Sequence, residues 1–428
     1  MVVDGAPARA GHDRLARRLG TGDAVVIGLG SMMGAGVFAV WAPAARSAGA
    51  ALLVGLGLAA FVAYCNAVAS AQLAAVYPVS GGTYVYGRER LGEWWGFAAG
   101  WAFVIGKTAS CAAMALTFAS YAVAGPVWVQ RLVALAAVLA MVTLNYRGVT
   151  RTALVTRVLV ACTGLALAVF VAACLSSPVA SISHLRDWSD ATPYGVLQAA
   201  GLLFFAFAGY ARVATMGEEV RDPHTTIPRA IPLALAVTVV VYVLVGVAAL
   251  SVAAAGLLAD STSPLATAAS AAGRDVVAPV VRAGAVVASL GALLALMAGI
   301  GRTSLAMARE GDLPRWLAAV HPRHRVPHHA ELLLGGVAGV LVLTTDLRGA
   351  LGFSSFGVLV YYAIANASAY TQPASDRRWP RWLNVVGGAG CLVLAAALPV
   401  GSVLLGAAVA AAGLLGRRLV AASASRSP

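Results

Sequence analysis

The sequence predicts an all-α polytopic membrane protein with twelve transmembrane helices. Three observations carry that expectation. The 428-residue chain is 60% hydrophobic and only 11% charged, with a mean hydropathy of +0.83. Soluble domains carry roughly 25% charged residues, so this apolar surface needs a bilayer as its solvent. Apolar runs close to the length of one bilayer crossing recur along the chain, and basic residues gather in the connections on one side of them.

Taken in order, the spans fall at 24–45, 50–77, 93–124, 129–146, 155–175, 193–217, 229–254, 276–306, 330–346, 349–370, 381–399 and 401–420. The runs at 93–124 and 276–306 exceed one straight crossing and are expected to tilt or extend past the membrane. Residues 1–23 and 421–428 form polar tails. The N-terminus is Arg-rich through Arg18 and unlike a cleavable signal peptide. An even number of spans puts both tails on one side. With odd loops outside, six basic residues face outward, 22 face inward, and Lys107 and Arg212 lie within spans. That bias places both termini in the cytoplasm and the chain in the cytoplasmic membrane. The net charge of +13 is spread over these loops rather than set in one patch, which argues against nucleic acid as a partner.

The five cysteines all lie in apolar segments at irregular spacing and read as small buried hydrophobes, not metal ligands or disulfides. Four of the seven histidines, His321, His324, His328 and His329, share the loop 307–329. Pro322 and Pro327 interrupt any regular ligand spacing there, so the loop reads as a solvated basic segment near anionic lipid. No metal or cofactor is expected.

Span 1 opens with "AVVIGLGSMMGAGVF", residues 24–38. A dinucleotide-binding glycine loop would need an acidic residue about 20 positions on and a soluble βαβ unit. No Asp or Glu occurs between Asp23 and Glu89, and a second span follows. A broken membrane helix fits instead. Unpaired backbone groups in hydrocarbon cost several kcal/mol each, so irregular backbone survives only beside a cavity or ligand. Gly30, Gly34 and Gly36 ease unwinding, and freed N–H groups at the start of a half-helix suit a carboxylate. The same glycines would also serve a close helix-packing face. Span 6 carries a second interruption, in "LLFFAFAGYARVATMGEE" at 202–219. Interrupted spans at matching places in two halves point to a transporter site. Residues 24–175 and 193–370 then form a 5+5 inverted repeat with discontinuous helices 1 and 6, and 381–420 supplies two extra C-terminal helices.

Four motifs occur in the order seen in one family: "GSMMGAGVF" in span 1, "YPVSGGTYVYGRERLG" at 77–92, "GEEVRDPHTTIPRAI" at 217–231 and "AMAREGDLPRWL" at 306–317. On these, the chain resembles an amino acid permease of the amino acid–polyamine–organocation superfamily over essentially spans 1 to 10. The resemblance implies alternating access around a site between spans 1, 3, 6 and 8. It implies that the backbone around Gly30, Ser31, Met33, Gly34, Ala35 and Gly36 holds a substrate carboxylate. Carbonyls at Phe207, Ala208 and Gly209 would accept the α-ammonium group, with Phe205 and Tyr210 as aromatic lids or plain packing.

Lys107, in "FVIGKTAS" of span 3, is the only lysine in the chain. A charge within a span costs roughly 2.5–3.5 kcal/mol on insertion scales, so it needs a reason. It is a candidate for substrate binding and for proton coupling or gating; the bland alternative is a lysine bonded to helix-end carbonyls. In relatives resembling arginine/agmatine exchangers an Asn lines the site at this position. A cation there disfavours arginine, lysine and polyamines and favours a neutral amino acid. Some proton-coupled relatives place a lysine in span 5 where this chain has Thr163. Ser289, Thr303 and Ser304 offer hydroxyls for a sodium ion in span 8. Arg212 is expected to pair with Glu218 or Glu219. Arg88, Glu89, Glu218 and Glu219 are inner-gate candidates.

These readings converge on a secondary transporter, proton symporter or exchanger, with an amino acid substrate and the lipid bilayer as partners. No G-x-x-x-x-G-K-[ST] loop supports ATP-driven transport, and no catalytic constellation lies within the spans. The alternatives are a transporter-like sensor or a carrier of amines or cationic amino acids.

Overall fold

The computed structural model describes residues 19–79, 81–148, 153–189, 191–217 and 219–424. These are helical apart from short connections and an isolated parallel bridge between Leu19 and Val220. Among the described residues, nine helices are long and apolar enough to cross a membrane. Three shorter apolar helices, Pro193–Phe207, His328–Thr344 and Arg381–Ala397, lie where the sequence places spans 6, 9 and 11. The two longest expected runs form Glu93–Ala122 (span 3) and Val277–Arg309 (span 8).

Many large aliphatic side chains point outward, while the interior is rich in small ones. Leu154, Val240 and Leu404 are exposed on their helices, as lipid contact allows. The interior uses Ala, Gly and Ser so that backbones can approach. Span 3 meets Leu347–Tyr370 (span 10) in this way, since a Cβ on Gly106 would lie 3.1 Å from the Gly357 Cα. Span 3 packs on spans 8 and 10. Span 1, starting at Thr21, packs on Pro223–Val252 (span 7), while Leu52–Val76 (span 2) packs on spans 6 and 7.

Both predicted interruptions are present. Span 1 runs as Thr21–Met32, then Gly36–Ala39, then Trp41–Ala48. Span 6 runs as Pro193–Phe207, turns at 208–210, and resumes as the single turn Ala211–Ala214. Cys65, Cys111, Cys174 and Cys391 are buried, but Cys162 is exposed. Burial was expected for all five; an apolar thiol on an outward face serves equally well against lipid. The histidine loop is folded, with the His321 and His324 rings 4.7 Å apart. Among the described residues no group of His, Cys, Asp or Glu is arranged to hold a metal ion.

Candidate functional site

The break in span 1 is narrower than its glycine run. Gly30 and Ser31 belong to the first helix, and the Ser31 hydroxyl donates to the Ile27 carbonyl at 2.9 Å. A Cβ on Gly30 would lie 2.9 Å from Val160 Cγ2 of span 5, so this glycine admits a neighbouring helix. The irregular backbone is Met33, Gly34 and Ala35. The Met33 amide closes the first helix on the Leu29 carbonyl at 2.7 Å. Neither the Gly34 nor the Ala35 amide donates a hydrogen bond among the described residues. Two main-chain donors therefore stand free at the break, beside Ala292 of span 8, whose Cβ a Gly34 Cβ would approach to 2.8 Å.

The span 6 break differs: its carbonyls are occupied. The Phe205 carbonyl accepts from the Ala208 amide at 3.3 Å and the Phe207 carbonyl from the Gly209 amide at 2.8 Å. The Lys107 ammonium donates to the Ala208 carbonyl at 3.1 Å. The only lysine thus reaches across from span 3 to the opened backbone of span 6. Tyr242, on span 7, joins the two breaks. Its hydroxyl lies 2.6 Å from the Met32 carbonyl and 3.0 Å from the Ala206 carbonyl, donating to one at a time. The main chains of the breaks also touch. A Cβ on Gly36 would lie 2.8 Å from the Ala206 Cα, and one on Gly209 would overlap the Ser31 carbonyl.

The other expected site residues divide. Phe207 and Tyr210 are fully buried, their rings tilted against those of Tyr242 and Tyr362 with centroids 5.0 Å apart in each pair. Phe205 and Met33 keep slight exposure. Thr163 is buried in span 5, and the Ser289 hydroxyl of span 8 is buried without a partner among the described residues. Among the described residues Arg212 makes no ion pair with Glu219, and Glu218 lies outside the described residues. Sequence reading passed over Tyr242, and it passed over Glu331, which is buried in the first turn of His328–Thr344.

At the end of the bundle rich in arginine, Arg88 makes no ion pair with Glu219 among the described residues. It bonds Asp312 at 2.8 Å, with Glu93 at 3.7 Å and Glu310 at 4.0 Å. Arg417, from the end of the last helix, bonds the other oxygen of Asp312 at 2.8 Å. The Tyr84 hydroxyl donates to Asp312 at 2.7 Å, and the Asp312 side chain is only 3% exposed. Glu89 is exposed and forms no ion pair among the described residues. Glu219 contributes through its backbone: its carbonyl accepts from the Leu19 amide at 3.1 Å, and the Leu19 carbonyl accepts from Arg221 at 2.8 Å. The segment before span 1 is thereby stitched to the segment after span 6.

A membrane-embedded helical bundle with two helices opened side by side defines a transporter class. The model of the amino acid permease family matches residues 23–405, and the chain belongs to that family. It is a multi-pass membrane transporter. An uncharacterized transporter of Mycobacterium tuberculosis is 58% identical, over 94% of this chain and 91% of the relative. The branched-chain amino acid permease BcaP of Bacillus subtilis is 28% identical over 85% of this chain and 83% of its own length. Cationic amino acid transporter 7, chloroplastic, of Arabidopsis thaliana is 30% identical over 86% and 68%.

Proposed function

We propose that this permease is a secondary active transporter that carries a neutral amino acid across the cytoplasmic membrane by alternating access, as a proton symporter or exchanger. The observation that carries the reading is the asymmetry of the two breaks. Free amides at Gly34 and Ala35 suit a carboxylate. At the span 6 break the Ala208 carbonyl, an acceptor suited to an ammonium group, already holds the ammonium of Lys107. A substrate amine therefore competes with Lys107, and a second cation on the substrate would sit against a like charge. This favours a neutral side chain, in keeping with the name of the branched-chain relative rather than that of the plant relative.

The contact pattern supports twelve spans with a 5+5 inverted repeat. Exchanging spans 1–5 with 6–10 turns the pair 1–7 into 6–2, the pair 3–10 into 8–5 and the pair 3–9 into 8–4. All six pairs are packed together. Spans 1, 2, 6 and 7 form one packing group, while spans 8, 9 and 10 each pack on span 3, which suits rocking of one bundle against the rest.

The test begins with a thermal-shift screen of the purified protein against the twenty amino acids, followed by uptake into proteoliposomes. Neutral amino acids are expected to raise the melting temperature and to be taken up. Binding without uptake identifies a sensor; shifts only with arginine or lysine overturn the neutral preference.

The inner gate, in this reading, is Asp312 clasped by Arg88 and Arg417. Asp312→Asn leaves two guanidiniums around a neutral amide. The loss is set between an exposed and a buried pair, roughly 2 kcal/mol, or about thirty-fold in a two-state equilibrium. The expected result is a lower melting temperature and faster labelling of a cysteine placed at Thr215 from the inner side. Labelling at the parental rate would mean that the cluster does not close the gate.

A further inference from the structure

Spans 10 and 11 leave a groove of ≈ 430 Å³ between them. Its wall is mostly apolar: Ala363, Ala367 and Tyr370 from span 10, Val385, Gly388 and Leu392 from span 11. Thr371 and Asn384 line one end; Ala363 and Leu392 line it two turns deeper, roughly 12 Å along the helices.

The Thr371 end is ringed with arginines. Arg90 donates to the Thr371 hydroxyl at 3.1 Å and also to its carbonyl. The Arg381 guanidinium lies 5.2 Å from the centre of the Tyr370 ring. Arg377 donates to the Gln372 carbonyl at 2.6 Å, and Arg378 is exposed beside it. None of these four arginines is in an ion pair among the described residues. Trp382 and Tyr370 are exposed at the same level, as amphipathic rings are at a headgroup boundary. Asn384 is 4% exposed, and its side-chain oxygen has no partner among the described residues.

We propose that this groove binds an anionic glycerophospholipid of the cytoplasmic leaflet. One acyl chain lies between spans 10 and 11, and the phosphate sits between Arg90 and Arg381. A guanidinium presents paired N–H donors that match phosphate oxygens, and basic clefts at the cytoplasmic side of a bundle favour anionic headgroups. The glycerol headgroup of phosphatidylglycerol supplies hydroxyl donors for the Asn384 oxygen. A soluble anion would leave the apolar wall empty. A second copy docked here by two-fold symmetry would set four unpaired arginines against the same four. With the transport reading this inference shares only the placement of this end at the cytoplasm.

The test uses the full-length protein in phosphatidylcholine nanodiscs, doped with phosphatidylglycerol, with bound lipid read by native mass spectrometry. Phosphatidylglycerol is expected to be retained over phosphatidylcholine and to raise the melting temperature. The Arg90→Gln/Arg381→Gln pair should lose roughly tenfold or more of that preference, one decade per 1.4 kcal/mol, while Arg90→Lys/Arg381→Lys keeps part of it. Gly388→Leu should remove the lipid by filling the groove; its Cβ meets only the Asn366 Cβ, at 3.7 Å. Equal retention of both lipids, unchanged retention in folded Gly388→Leu, equal protection by inorganic phosphate alone, or a dimer closing the groove would each overturn the proposal. A chain that transports nothing yet keeps the preference upholds it.

Discussion

Replacing Lys107 with methionine is expected to leave the chain inserted and nearly as stable, yet to cut transport roughly tenfold or more. Two terms nearly cancel in the fold. Losing the bond to the Ala208 carbonyl costs roughly 1.5–3 kcal/mol for a charged donor. Removing a cation from mid-membrane relieves roughly 2.5–3.5 kcal/mol. Methionine fills a similar volume, so packing around span 3 is kept. Transport has no such compensation. Without the ammonium, the Ala208 carbonyl loses the group that, in the proposed mechanism, a substrate amine displaces, and the bundle loses its link from span 3 to the opened part of span 6. Melting temperature and uptake, measured on the same preparation with and without a pH gradient, separate the two effects. A gradient response that survives in the variant would remove Lys107 from coupling, and parental uptake would remove it from the mechanism. The arginine variant keeps charge but brings a planar fork where a compact ammonium fits, so it should not restore full transport.

What the sequence revealed and what it hid follow one physical division. Hydrophobic length and charge bias are summed over many neighbours, so the apolar helices were legible, and glycines within apolar runs marked the interrupted stretches. Lys107 stood out because an isolated charge in an apolar run is costly wherever its partner lies. Partnerships across the fold left no such local trace. Tyr242 sits among valines in "AVTVVVYVLVGV"; a buried phenol needs a hydrogen-bond partner, but its acceptors, Met32 and Ala206, lie 210 and 36 residues away. The Asp312 cluster was hidden for the same reason: Arg88 is 224 residues away, and Arg417 comes from a helix outside both proposed repeats. Even the break in span 1 was located too broadly, because glycine signals permission to unwind and to pack alike. Gly30 is used for packing and Gly34 for the break.

Gly209→Ala should be far more damaging than one methyl suggests. The added Cβ would overlap the carbonyl group of Ser31 and crowd the Met32 amide, which are main chain and have no rotamer to yield. Overpacking of this kind costs roughly 1–3 kcal/mol when neighbours can shift. Here the neighbour is the last turn of the helix that leads into the span 1 break, and moving it pulls the Met32 carbonyl from Tyr242. The expected outcome is loss of substrate-induced thermal shift and of uptake, with a lower melting temperature. Gly336→Ala, in His328–Thr344, is the matched control. A Cβ there meets nothing within 4 Å, and exchanging a mid-helix glycine for alanine should stabilise by roughly 0.5–1 kcal/mol. If both variants transport at the parental rate, the two breaks do not need their main-chain contact, and the site must be held together by Tyr242 and Lys107 alone. If only Gly209→Ala fails, and a second change of Ser31 to glycine does not restore it, the obstruction is the backbone itself, as the geometry requires.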